Sequence, residues 1–335
     1  MDKKVSMKLI ADELGISKNT VSLALRGMPG ISSETRQKII LTADQLGYQY
    51  KKANVVTKNI CLILSKSIRK SFGFFNYVQF GMEDEGKKEG VNLIIHYYMQ
   101  NEKEVRIPLS IKEGMISGII TLGHISYDAL KPLLDLHLPI VMVDHYLYNV
   151  GIDYILTDNY SGGYRATEYL IKKGHKKIGF LGDIYCSTSF KDRYLGFKKA
   201  LEDYNMEINR DYLYTKISIE ALALEEDPSV FEMFNEISKL PDALFCCNDA
   251  EAIAANRMFS SFGIKVPEDI SIIGFDDIEF SMSMSPELTT MKVEKELMGR
   301  KAVEKLVSIM NNPTTIAEKL LLNTTLVERN SVKSM

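Results

Sequence analysis

The chain has 335 residues, 45% hydrophobic and 25% charged. That is ordinary for soluble globular protein and long enough for two or three domains. The net charge of −3 is uneven, since residues 1–58 hold ten Lys and Arg against five Asp and Glu, leaving −8 on the rest. A basic end on an acidic body fits a nucleic-acid contact at that end only.

No apolar run approaches the ~18 residues of a membrane helix. No secretory apolar segment follows the opening MDKKVSMK, so a cytoplasmic protein with no membrane partner is expected. Cys61, Cys186, Cys246 and Cys247 form no C-x-x-C, and the five histidines show no ligand spacing. Structural thiols in a reducing compartment are expected, with no metal and no cofactor.

Residues 6–27 read as two short helices and a turn. Ile10, Ala11 and Leu14 recur at helical spacing, and Gly15 suits a left-handed cap. Ser17 is placed to N-cap a second helix over residues 18–26, with Val21, Ala24 and Leu25 inward. Its outer face carries Lys18, Asn19, Ser22 and Leu23. A second helix that enters the major groove reads bases with its N-terminal residues. Asn can pair with adenine and Lys can donate to guanine. An αα-hairpin in an unrelated helical domain is the plain alternative. A third helix follows, N-capped by Ser32 and striped by Ile39, Ile40, Ala43 and Leu46, and closed by Gly47-Tyr48.

Residues 49–58, QYKKANVVTK, are polar, basic and aperiodic, and read as a linker. An α/β rhythm then begins. Strands are expected at 60–64, 91–97, 118–120 and 139–143, with a helix at 76–89. The pattern restarts with strands at 154–156, 177–181, 243–247 and 270–275 and helices at 161–173, 193–204 and 250–262. Continuous apolar strands alternating with helices mean parallel sheets covered on both faces. Two such halves suggest two Rossmann-like lobes with a cleft between them.

Ligands bind these sheets outside the carboxyl ends of the strands. That rule selects Phe74 and Phe75, Asp144, Asp158-Asn159, Asn248-Asp249 and Asp276-Asp277. Polar groups at several strand ends, with aromatics nearby, suit a polyhydroxylated or heterocyclic small molecule. Each Asp or Asn is equally explained as a helix N-cap, so the argument rests on their recurrence at one edge.

The order A-x-x-L-G-I-S-x-x-T-V-S, I-S-x-x-T-R, L-G-Y at the N-terminus resembles the LacI/GalR family of bacterial transcription regulators. R-Y-L-G-F (193–197), P-D-A-L-F-C-C-N-D (241–249), V-P-E-D-I-S-I-I-G-F-D-D (266–277), E-L-T-T-M (287–291) and V-E-R-N-S (327–331) resemble that family's effector-domain motifs, in order. The resemblance implies an N-terminal all-α helix-turn-helix domain (1–48), a linker or hinge (49–58) and an α/β periplasmic-binding-protein-like effector and dimerisation domain (59–335). Its lobes would be about 59–157 plus 289–318, and about 158–288 plus 319–335, with three crossings. It implies base reading by Lys18 and Asn19 and phosphate contacts from Ser17, Thr20, Ser32 and Thr35. Leu23 stands where many members carry a polar or cationic base reader; it could pack on a thymine methyl. It also implies an effector site with Arg193 gripping hydroxyls or a carboxylate, Asn248 and Asp276 bonding sugar hydroxyls, Phe74 packing on a ring and Asp158 as a cleft carboxylate.

One departure stands out. Members usually carry a Pro and then a hinge helix with A-R-x-L, whose Leu wedges between base pairs. No Pro, Arg or Leu occurs between Tyr48 and Ile60, which leaves Val55 and Val56 as candidate wedges.

The implied function is a repressor acting on operator DNA as a homodimer, controlled by a small molecule. A sugar or sugar phosphate is favoured, with a purine corepressor second, and a protein corepressor is the partner class left if no small molecule binds. A solute-binding protein would explain residues 60–335 but not the basic N-terminal module. An α/β enzyme lacks G-x-S-x-G, a phosphate loop with Lys or a metal cluster. Ser161-Gly162-Gly163 reads as a helix start packed closely on the sheet rather than a phosphate loop.

Overall fold

The computed structural model describes residues 6–25, 31–48, 58–65, 73–98, 106–218, 240–313 and 316–335. Two compact units divide the chain, Met1–Lys58 and Asn59–Met335.

The first unit holds α1 (Met7–Leu14), α2 (Lys18–Leu25) and α3 (Ser33–Gln45). Ser6 caps α1, and Gly15 ends it at φ 64°, a left-handed position that favours glycine. Ile10, Ala11, Val21, Ala24, Leu25, Ile39 and Ala43 form one small core. Ser32 caps α3 by accepting from the Thr35 amide. Arg36 donates from Nη1 to the Ala24 carbonyl at 2.8 Å, tying α3 to the C-terminal turn of α2. Of the expected linker, residues 49–57, with Val55 and Val56, lie outside the described residues, and Lys58 already belongs to a strand.

The second unit contains two six-stranded sheets. The first has β1 (Lys58–Ser65), β2 (Val91–Tyr98), β3 (Ile116–Leu122), β4 (Ile140–Val143), β5 (Asp153–Thr157) and β11 (Lys319–Leu322), in the order β11-β5-β4-β3-β1-β2. The second has β6 (Ile178–Leu181), β7 (Leu213–Tyr214), β8 (Ala243–Cys246), β9 (Ser271–Asp276), β10 (Thr289–Lys292) and β12 (Thr325–Val327), in the order β12-β10-β9-β8-β6-β7. Strand β12 pairs antiparallel with β10. Alternation along β1 explains the double cover: Ile60, Leu62 and Leu64 enter one core, Cys61 and Ile63 the opposite one.

Helices α4 (Phe74–Glu89), α5 (Leu109–Lys112) and α6 (Tyr127–Leu134) accompany the first sheet. Helices α7 (Asn159–Lys172), α8 (Thr188–Asp203) and α9 (Asp249–Ser261) accompany the second, and α10 (Lys295–Asn311) returns to the first, against α4. The expected lobe division is therefore corrected at the C-terminal side. Thr289–Lys292 lies in the second sheet and Lys319–Leu322 in the first. Neither short run, Thr-Thr-Met-Lys in β10 or Lys-Leu-Leu-Leu in β11, names its sheet by its own residues; the parallel pairings with β9 and β5 decide between the sheets. The chain crosses between lobes after Thr157, after Lys292 and after Leu322.

Among the described residues, each lobe holds a pair of helices in backbone contact. A Cβ on Gly81 would come within 2.0 Å of the Glu296 carbonyl oxygen, and one on Gly299 within 2.0 Å of that of Val78. In the second lobe, a Cβ on Gly163 would come within 2.2 Å of the Arg193 carbonyl oxygen, and one on Gly196 within 2.0 Å of that of Tyr160. Only glycine permits such approaches. The Ser161-Gly162-Gly163 stretch thus lies in a closely packed helix.

Candidate effector cleft and nucleic-acid interface

Arg193 organises the carboxyl edge of the second lobe. Its side chain is 2% exposed. Nε donates to Asn159 Oδ1 at 2.8 Å, Nη1 to the Cys247 carbonyl at 2.6 Å and Nη2 to Asp276 Oδ1 at 3.0 Å. The Phe275 ring lies under the guanidinium, 3.8 Å from Cζ. Three N–H groups in a rigid fork can join three separate strand ends, which a lysine could not do.

The other selected residues gather around this fork by chain adjacency. Asp158 precedes Asn159, Asn248 follows Cys247, and Asp276 is held directly. Both Asp158 and Asn248 also serve as N-caps, accepting from the amides of Ser161 at 3.0 Å and Glu251 at 2.7 Å. Cap and strand-end roles coincide, because each helix starts where its strand stops. Phe74 differs: it is buried in the main core and packs edge-on against half-buried Phe75 at 5.1 Å. Phe74 is core first, and Phe75 is the more accessible ring.

Burial pushes the Asp276 carboxyl above its ordinary range, and Arg193 and Lys295 pull it back. Asp249 is pushed up to about 8 by burial and by Asp276. It accepts from Thr290 Oγ1 at 2.5 Å and the Ile278 amide at 2.8 Å, joining α9, the loop after β9, and β10. Asp144, at the end of β4 on the first lobe, is pushed up to about 7 by burial, against the pull of Arg193. Asp144, Asp276 and Asp277 have φ of 60°, 110° and 52°. Lys295 Nζ donates to the carbonyls of Asp276 and Asp277 at 2.5 and 2.9 Å, steadying that left-handed pair.

Phe275 and Lys295 escaped the sequence reading, whereas Asn159 was selected with Asp158. Phe275 adjoins the selected strand end at Asp276, so widening the strand-end rule by one residue would have found it. Nothing in sequence marks Lys295 as buried. A groove of about 380 Å³ lies elsewhere on the first lobe, lined by Tyr154, Lys301, Glu304, Lys305 and Glu318 among others. Among the described residues no group of three or more His, Cys, Asp or Glu could hold a metal, and no helix is long and apolar enough to cross a membrane. Cys61, Cys246 and Cys247 are buried and Cys186 is exposed, and none of the four is in a disulfide.

On the first unit, Ser17, Lys18 and Asn19 are exposed at the N-terminus of α2, with Thr20, Ser22 and Leu23 half-buried. The hydroxyls of Ser17 and Thr20 lie 2.8 Å apart, and Ser17 Oγ accepts from the Thr20 amide at 3.0 Å. Ser32 and Thr35 repeat the arrangement at 2.7 and 3.2 Å. Each is a hydroxyl pair beside the unpaired N–H groups of a helix start, a geometry suited to phosphate oxygens.

Residues 6–50 match the family described as bacterial regulatory proteins, lacI family, and residues 167–332 match a periplasmic binding protein-like domain. The HTH-type transcriptional repressor PurR of Pasteurella multocida is 31% identical, over 98% of this chain and 99% of its own length. The probable HTH-type transcriptional repressor ExuR of Bacillus subtilis is 29% identical over 99% of each chain. The ribose operon repressor of Haemophilus influenzae is 29% identical over 98% of this chain and 99% of its own. Among solved structures, the transcriptional regulator CelR–cellobiose complex is similar at a TM-score of 0.73, with 24% identity over 98% and 99% of the two chains. A LacI family regulator from Enterococcus faecium with bound ribose gives 0.68, with 23% identity over 83% and 100%. With the helix-turn-helix unit, the two-lobed unit and full-length relatives in agreement, the chain belongs to the lacI family of bacterial regulatory proteins and is a DNA-binding transcriptional regulator.

Proposed function

We propose that this regulator is a cytoplasmic repressor that binds a pseudo-palindromic operator as a homodimer and is controlled by a sugar or sugar phosphate held between its lobes. The observation that carries the effector reading is the cluster around Arg193. Asp158, Asn248 and Asp276 gather at the edge that Arg193 organises and Asp144 adds a carboxyl from the end of β4 on the first lobe, the mixture of donors and acceptors that hydroxyl-rich ligands need. Arg193 holds the edge together as well as facing it. The relatives with cellobiose and ribose, in the same fold, support a sugar. A purine-type ligand is the second reading and rests on Phe75, since Phe74 is committed to the core. In the DNA module, Lys18, Asn19 and Leu23 read bases, and Ser17, Thr20, Ser32 and Thr35 hold the backbone, with Ser22 on the same DNA-facing side of the helix.

The test is thermal stabilisation by a panel of sugars, sugar phosphates, purines and amino acids, followed by operator binding with and without the hit. A ligand at ~100 times its dissociation constant adds about 2.7 kcal/mol. A sugar hit that changes operator affinity supports the reading. A purine hit selects the second. Stabilisation without any change in operator affinity would sink the regulatory half, because an effector must bind the two states differently.

A further inference from the structure

Residues 144–152 run from β4 to β5 on the first lobe, and the hydroxyl of Tyr154 pins them by donating to the carbonyls of Leu147 and Val150 at 2.9 and 2.8 Å. Three consecutive side chains of this strap bond to one helix of the other lobe. Ser189 Oγ lies 3.2 Å from the Asp144 carbonyl oxygen and 3.4 Å from its Oδ1. His145 Nδ1 lies 3.0 Å from Thr188 Oγ1. The Tyr146 hydroxyl faces both oxygens of Asp192, at 3.1 and 3.2 Å. Thr188, Ser189 and Asp192 sit on the first two turns of α8, and the next residue is Arg193.

Of the three contacts, the Tyr146 one is built most firmly. Lys319 Nζ stands 3.7 Å over its ring from β11 of the same lobe. Tyr148 packs edge-on against it at 5.2 Å, with the two hydroxyls 3.2 Å apart. The ring is thus held from its own lobe, and its hydroxyl reaches a carboxylate of the other. A hydrogen bond to a charged acceptor is the strong kind.

We propose that Tyr146 is a positioning residue: its bond to Asp192 latches the strap onto α8, holds the lobes closed and fixes the helix that carries Arg193. The latch works without ligand and needs no particular effector class.

The test uses full-length protein in a Cys186→Ser background, which removes the exposed thiol and leaves the three buried ones. Spin labels go on Glu113→Cys in the first lobe and Glu207→Cys in the second, both exposed positions, and the interlobe distance is read by pulsed electron resonance. The parent should show one dominant distance that matches this structure. Tyr146→Phe keeps the ring under Lys319 and removes only the hydroxyl; Asp192→Asn removes the charge. Each should shift the closed-to-open ratio about tenfold or more toward open, the scale of a hydrogen bond to a charged group. The double variant should open no further than the more open single variant, because both remove one interaction. Tyr148→Phe should leave the ratio unchanged. Distances in both variants equal to the parent's, a parent already open, or a fully additive double variant would each overturn the latch. Should Tyr146→Phe fail to fold, half-exposed Asp192→Asn still decides.

Discussion

Arg193 and Asp276 form an ion pair at 3.0 Å with only 2% and 10% of the two side chains exposed. Removing one partner leaves a buried charge unpaired, which costs about 3–5 kcal/mol. Arg193→Ala is therefore expected to lower stability by that amount in urea denaturation, and to abolish the effector response. Intact stability with the response lost would make Arg193 a ligand contact rather than the organiser of the edge.

The buried carboxyl of Asp249 gives a pH prediction. Its folded value, about 8, lies above the ordinary ~4 of an unfolded Asp. Between these values the folded state binds more protons than the unfolded one, so its contribution to stability is complete below ~4 and is lost as pH rises through about 8. Asp249→Asn should flatten the fall in denaturation midpoint over that window. An unchanged slope would assign the proton elsewhere. His145 has the opposite sign: burial and His124 pull it down to about 4, so its contribution is lost as pH falls below ~6.5.

Asn19→Ala should weaken operator binding by roughly 1–3 kcal/mol while sparing non-specific DNA. Titrations against operator and scrambled duplex at one salt concentration check this. A uniform loss on both would show that Asn19 contacts backbone, not bases.

Gly299→Ala would push a methyl to 2.0 Å from the Val78 carbonyl oxygen. Neither helix can yield locally, so a loss of about 1–3 kcal/mol or more is expected. Gly151 has nothing within 4 Å and no positive φ, so Gly151→Ala should be near neutral. Equal midpoints for the two variants would mean that the helices can separate without cost.

Much of this was legible in the residues. Glycine, serine and apolar spacing give α1, α2 and α3 their limits almost to the residue, because caps are local chemistry. Strand cores such as 60–64 and 243–246 are legible for the same reason: burial on both faces writes a continuous apolar run. The assignment of β10 and β11 to sheets was not legible, since it depends on pairing partners more than 15 residues away in sequence. The strand-end rule selected Asp158, Asn159, Asn248 and Asp276, yet could not say that Arg193 ties these strand ends together. It also took Phe74 for a ligand-facing ring, because a sequence shows that a residue is aromatic and not which way its ring turns.

The three crossings are short: Asp158 alone, Val293-Glu294, and Asn323-Thr324 separate elements of opposite lobes. Connectors this brief cannot stretch, so the lobes cannot drift apart. The glycine-seated helix pairs, meanwhile, keep each lobe stiff. What remains is rotation about a narrow line through the crossings, with each lobe acting as a lever. A rotation of a few degrees about Asp158 displaces atoms at a lobe's far end several times farther than atoms beside the crossing, so atoms at the cleft need to move very little for the periphery to move far.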